Sequence, residues 1–98
     1  MIVMTAYVIA RVDIKDRDKY QKYLDVTPSI IKKFDGIVIA RSEEPLTFEG
    51  SDENRRIILI QFSSIEKAKE FYYSPEYQNA RKLRKEAATG EMIVVDGL

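Results

Sequence analysis

From Ile57 to Phe62 the chain reads Ile-Ile-Leu-Ile-Gln-Phe, apolar at nearly every position. Taken as a strand, it puts Ile57 and Leu59 on one side and Ile58, Ile60 and Phe62 on the other. Two further stretches behave alike. Met92 and Val94 oppose Ile93 and Val95, and Ile37 and Ile39 oppose Val38 and Ala40. A sheet built from such strands is apolar on both faces, and each face then needs a cover. This demand constrains the fold more than any other feature of the chain.

The remaining elements say what supplies one cover. Tyr7 to Ile14 alternates, with Val8, Ala10, Val12 and Ile14 on one face and Tyr7, Ile9, Arg11 and Asp13 on the other, the pattern of a strand. Asp16 suits a helix N-cap. Tyr20, Tyr23, Leu24, Thr27, Ile30, Ile31 and Phe34 then recur at steps of three and four, the stripe of an amphipathic helix. Pro28 falls inside that stripe and predicts a kink or a split near Val26. Asp35-Gly36 ends the helix, with Gly36 suited to a left-handed cap. Pro45 interrupts the second strand, which Leu46 to Glu49 is expected to resume after a bulge. Gly50 to Asn54 is rich in turn formers. Ser63 with Glu66 reads as a capping box, followed by a helix burying Ile65, Ala68, Phe71 and Tyr72. Ser74-Pro75 opens a fresh helical segment, Ser as N-cap and Pro at its first position. Its stripe is Tyr77, Ala80, Leu83, Arg84 and Ala87, and Gly90 is expected to end it before a strand over Met92–Val95.

The order is β-α-β-β-α-β, a ferredoxin-like α+β fold. It predicts a four-stranded antiparallel sheet with helices on one face. At about 25 cal/mol per Å² of apolar surface, leaving the other face wet forfeits several kcal/mol. That is a large share of the roughly 5–15 kcal/mol that holds a domain together. The simplest cover is a second copy of the same sheet about a two-fold axis, so a homodimer through the open face is expected. The alternative is an apolar patch that binds another protein or a ligand.

Composition excludes several functions. At 98 residues the chain is expected to be one domain, spanning residues 1–98. Sixteen basic and sixteen acidic residues cancel, so no net field draws nucleic acid or an anionic membrane. There is no Cys and no His. That removes thiol nucleophiles, thiolate metal sites, the commonest metal ligand and the usual near-neutral general base. No cofactor and no metal site are expected. The first residues, Met1 to Met4, are too short an apolar run for a membrane span and lack the layout of a signal peptide. A cytoplasmic location is the default expectation, and either Met1 or Met4 serves as the start.

Six residues are the candidates for a small-molecule pocket. Arg41, at a strand end, offers a two-point clamp for a carboxylate; the competing reading is an ion pair with an acid such as Glu43. Glu49 offers a partly buried base, or else a salt bridge with Arg41 or Arg55. Tyr7, Tyr72 and Tyr77 offer aromatic walls and hydroxyl donors, against plain core packing; Tyr20 and Tyr23 read as helix-face packing. Arg84, on the stripe side of the last helix, needs a partner there, either a carboxylate of the sheet or a ligand anion. The acidic pairs Glu43-Glu44 and Asp52-Glu53 match no cation loop and read as solvated turns.

Ser74-Pro75-Glu76-Tyr77-Gln78, with Arg84, Ala87-Ala88 and Val95-Asp96-Gly97, resembles the family known as domain of unknown function 1330. Tyr7 to Ala10, Tyr20 and Tyr23 before Pro28, Arg41, Phe48-Glu49-Gly50 and Phe62 agree with it. The resemblance spans nearly the whole chain. It implies a dimeric α+β barrel and implies no known reaction. The wider superfamily holds cofactor-independent monooxygenases, lactone isomerases, haem proteins and binding modules. Without His this chain has no histidine ligand for haem, and it has no Trp. Two readings follow: a dimer handling a small molecule between sheet and helices, with or without a cofactor-free reaction, and a non-catalytic binding or regulatory module. RNA binding through the same element order needs aromatic residues on the third strand, where this chain has aliphatic ones.

Overall fold

The structure, a computed structural model, describes residues 5–98; the choice between Met1 and Met4 lies outside the described residues. The elements are β1 (Ala6–Ile14), α1 (Arg17–Lys33), β2 (Ile37–Ser42), β3 (Arg56–Phe62), α2 (Ile65–Tyr73), α3 (Pro75–Ala87) and β4 (Ala88–Asp96). The strands form one antiparallel sheet in the order β2-β3-β1-β4. Strand β1 is central, with Val8 opposite Ile60 of β3 and Val94 of β4. This is the ferredoxin-like arrangement, its second helical unit divided into α2 and α3.

The helices cover one sheet face. Val8, Ala10, Val12, Ile60 and Phe62 are buried with the stripe residues Tyr20, Tyr23, Ile30, Ile31, Phe71, Tyr77 and Ala80. Aromatic rings form the centre of that core. Phe71 lies 5.2 Å from Phe62 and 4.6 Å from Tyr77, ring centre to ring centre, and Tyr77 meets Tyr23 edge-on at 6.3 Å. The opposite face carries Tyr7, Ile9, Ile57, Leu59, Ile93 and Val95, with no element of the described residues over it.

Local chemistry accounts for the helix ends. The Asp16 carboxylate accepts from the Lys19 amide at 3.1 Å and caps α1. Ser74 joins α2 to α3: its hydroxyl donates to the Phe71 carbonyl at 2.7 Å and accepts from the Tyr77 amide at 3.1 Å. Pro75 follows at the first position of α3, where its missing N–H costs nothing.

Six sequence expectations are corrected. Pro28 does not split α1, which runs unbroken from Arg17 to Lys33. Around it the Thr27 hydroxyl donates to the Tyr23 carbonyl and Ser29 to Val26. The left-handed cap residue is Asp35, at φ 61°, not Gly36. Asp tolerates that region, and the Asp35 and Gly36 amides close the helix onto Lys32 and Ile31. Gly36 is demanded by packing instead, since a Cβ there would stand 2.7 Å from the Phe62 ring. The α2 N-cap is Ser64 rather than Ser63; it accepts from the Lys67 amide at 3.0 Å, leaving Glu66 in the first turn. Leu46 to Glu49 does not resume a strand. Helix α3 passes into β4 at Ala88 without waiting for Gly90, which sits inside the strand opposite Val12.

The sixth correction bears on function. Strand β2 does not alternate evenly, because its register against β3 shifts between Val38 and Ala40. That β-bulge turns Ala40 to the open face, opposite Leu59, and puts Arg41 opposite Ile58. Even alternation would have left Arg41 on the open face.

Candidate functional site

Between the helices and the sheet lies a partly open cavity of about 70 Å³. The bulge of β2 brings Arg41 to it. Strand β3 contributes Arg56, on the same face as Ile58 and Ile60, and the stripe of α3 contributes Arg84. Helix α1 supplies Tyr20 and Tyr23. The rest of the wall is largely apolar, including Leu24, Pro28, Ile31, Val38 and Met92.

The polar groups of this wall are unusually placed. The Arg56 side chain is only 9% exposed. Its guanidinium stacks 5.7 Å from the Tyr20 ring centre, and that of Arg84 lies 5.9 Å from the Tyr23 ring centre, within cation–π range. The two rings are themselves 5.4 Å apart. Tyr20 Oη, Arg56 Nε and Arg84 Nε are buried with no hydrogen-bond partner among the described residues. Glu43 Oε1 stands 3.3 Å from Arg56 Nε without hydrogen-bond geometry, and Glu43 also reaches Arg17 at 3.9 Å. Buried polar atoms are satisfied almost everywhere in folded proteins, so three in one wall mark it as unusual.

Both phenols hold their protons more firmly than free tyrosine. Burial raises the Tyr20 pKa, opposed by the positive charge of Arg56 and Arg84. Burial raises that of Tyr23 further, reinforced by its partner Tyr77, whose hydroxyl it meets at 2.9 Å. Among the described residues the wall contains no carboxylate. It can bind and orient an anion, donate a hydrogen bond and stabilise developing negative charge.

Of the six candidate residues, the structure brings Arg41 and Arg84 to one cavity. Glu49 is exposed in the connection between β2 and β3, and neither Arg41 nor Arg55 pairs with it among the described residues. Arg55 binds Glu53 at 2.9 Å and also Glu91. Tyr7 lies on the open sheet face, opposite Gln61 and Val95. Tyr77 is fully buried behind Tyr23. Tyr72 borders a separate open groove of about 340 Å³ between α2 and β4, together with Tyr73, Met92 and Val94. Sequence reasoning missed Arg56, Tyr20 and Tyr23 as wall residues. Arg56 had a signal: it shares the parity of Ile58, Ile60 and Phe62, and a charge on the buried face of a strand needs an explanation.

Among the described residues no group of His, Cys, Asp or Glu converges as a metal site. No helix there is long and apolar enough to cross a membrane.

The family model described as domain of unknown function (DUF1330) matches residues 5–98. No curated protein matches the chain. Among solved structures, a protein of unknown function from Rhodopseudomonas palustris aligns with a TM-score of 0.82 at 17% identity, covering 99% of this chain and 85% of that one. SnoaB, a cofactor-independent oxygenase from Streptomyces nogalater, aligns with a TM-score of 0.65 at 10% identity, covering 96% and 92%. A Mycobacterium tuberculosis protein aligns at 0.55 and 21% identity, covering 96% and 93%. At such identities the likeness is one of fold.

Proposed function

The chain belongs to the family described as domain of unknown function DUF1330, and from that footing we propose that it works as a homodimer holding a small molecule in the cavity between sheet and helices. One observation carries the ligand reading: three arginines and a buried tyrosine from four different elements meet in one largely apolar wall. Core packing alone does not call for them. The open face supports the dimer. Ile9 stands between Leu59 and Ile93, and Tyr7 beside Val95, so the apolar side chains form one continuous surface.

Binding is the primary reading, because the described wall offers no carboxylate to act as a base. A cofactor-free reaction is the second, favoured by the fold shared with SnoaB. For it the wall supplies electrostatics: fixed guanidiniums stabilise an anion as it forms from the substrate.

Native mass spectrometry of gently purified protein tests both parts. A dimer with retained small-molecule mass is the expected result. A bare monomer overturns the dimer and hands the open face to another partner. Dioxygen uptake in the presence of the retained molecule then separates the readings: uptake favours the reaction, and none favours binding.

A further inference from the structure

We infer that the cavity takes a small carboxylate with a short apolar body, its head on Arg56 and Arg84 and its body against Leu24, Pro28 and Val38. This rests on the reading of the cavity as a binding site. Three cations line the cavity, and among the described residues Glu43 is the acid recorded within ion-pair distance of one of them, Arg56. Glu43 is itself 58% exposed and shared with Arg17, so it offsets one charge at most. The Nε atoms of Arg56 and Arg84 and the Tyr20 hydroxyl are buried without hydrogen-bond geometry to any described residue, although Arg56 Nε lies 3.3 Å from Glu43. Polar atoms placed in an apolar wall without full hydrogen bonding are costly, and a bound anion supplies an acceptor for them. A planar carboxylate matches the guanidinium fork. Phosphate fits worse, because the mostly apolar wall would strip water from oxygens it cannot pair. The cavity, about 70 Å³, limits the apolar body to a few carbon atoms.

The test compares propionate and isobutyrate with propionamide and isobutyramide, which keep shape and lose charge, and with inorganic phosphate. Binding is read by calorimetry and by thermal shift on the full chain. The acids are expected to bind roughly tenfold tighter than their amides, or more. Arg84→Met is expected to abolish that preference, because it removes one of the two head-group cations. Equal binding of acid and amide overturns the carboxylate and leaves the cavity reading standing. Tighter binding of phosphate than of either acid overturns the carboxylate as well. No binding of any probe overturns both. A lower melting temperature with the acid preference intact marks Arg84 as structural and overturns its place at the head group. If Arg84→Met does not fold, Arg41→Gln, at an exposed strand end, carries the same acid-against-amide comparison and is expected to weaken the preference.

Discussion

The hydroxyls of Tyr23 and Tyr77 meet at 2.9 Å inside the core, where both residues are buried. Each phenol satisfies the other, and the pair ties α1 to α3. Tyr77→Phe removes one partner and leaves the Tyr23 hydroxyl buried and unpaired, which costs about 1–3 kcal/mol. Urea unfolding should report that loss with little change in slope, since the surface exposed on unfolding is nearly the same. At the rim of the same helix pair, Lys33 donates to Glu76. Lys33 and a backbone N–H hold the Glu76 carboxyl below the usual carboxylate range. A lowered folded-state pKa contributes stability above the unfolded value, and that stability is lost as pH falls through the folded one. On acidification through the carboxylate range the melting temperature of the wild type should therefore fall more than that of Glu76→Gln. Parallel curves would show that the pair is screened to insignificance.

The elements are set by backbone geometry that side-chain pattern only partly reports. Ser74 was legible because one residue type serves a local need at a helix junction. The bulge in β2 was not, because it depends on how Val38 and Ala40 meet Ile60 and Leu59 across the sheet. Its effect is large, since one extra residue exchanges the faces of Ala40 and Arg41. Gly90 teaches the same lesson. Its sequence reading as a helix stop is local, whereas in the fold a Cβ there would stand 2.6 Å from the Arg11 carbonyl oxygen. Gly90→Ala should force β4 away from β1 and cost about 1–3 kcal/mol. Faster amide exchange at the Arg11–Glu91 end of that strand pair would localise the damage.

At the scale of the molecule, three helices occupy one sheet face and leave the other open. Leu59 sits near the middle of that open face, between Ile9 of β1 and Ala40 of β2. If a second copy covers it, Leu59→Asp places a charge in the interface, and sedimentation should show monomer or unfolded chain. A folded, unchanged dimer would move the interface elsewhere. The cavity lies on the far side of the sheet, so this variant also separates assembly from ligand binding. A folded monomer that keeps its preference for acids would place the binding site within one chain.

Element order, the face assignments of β1, β3 and β4, the Asp16 and Ser74 caps and the family were all readable along the chain. Each depends on period, on a capping residue or on a short motif, and these act between residues close in sequence. Arg41 and Arg84 could be named as candidates for the same reason: a charge stands out against an apolar pattern. Their convergence with Arg56 and Tyr20 could not be read. It arises where a bulge, a strand register and two helix stripes come together, and Glu49 falls outside because the β2–β3 connection carries it away. Which faces are apolar is a property of local alternation. Which charges share a cavity depends on contacts between residues far apart along the chain, and only the packed fold selects them.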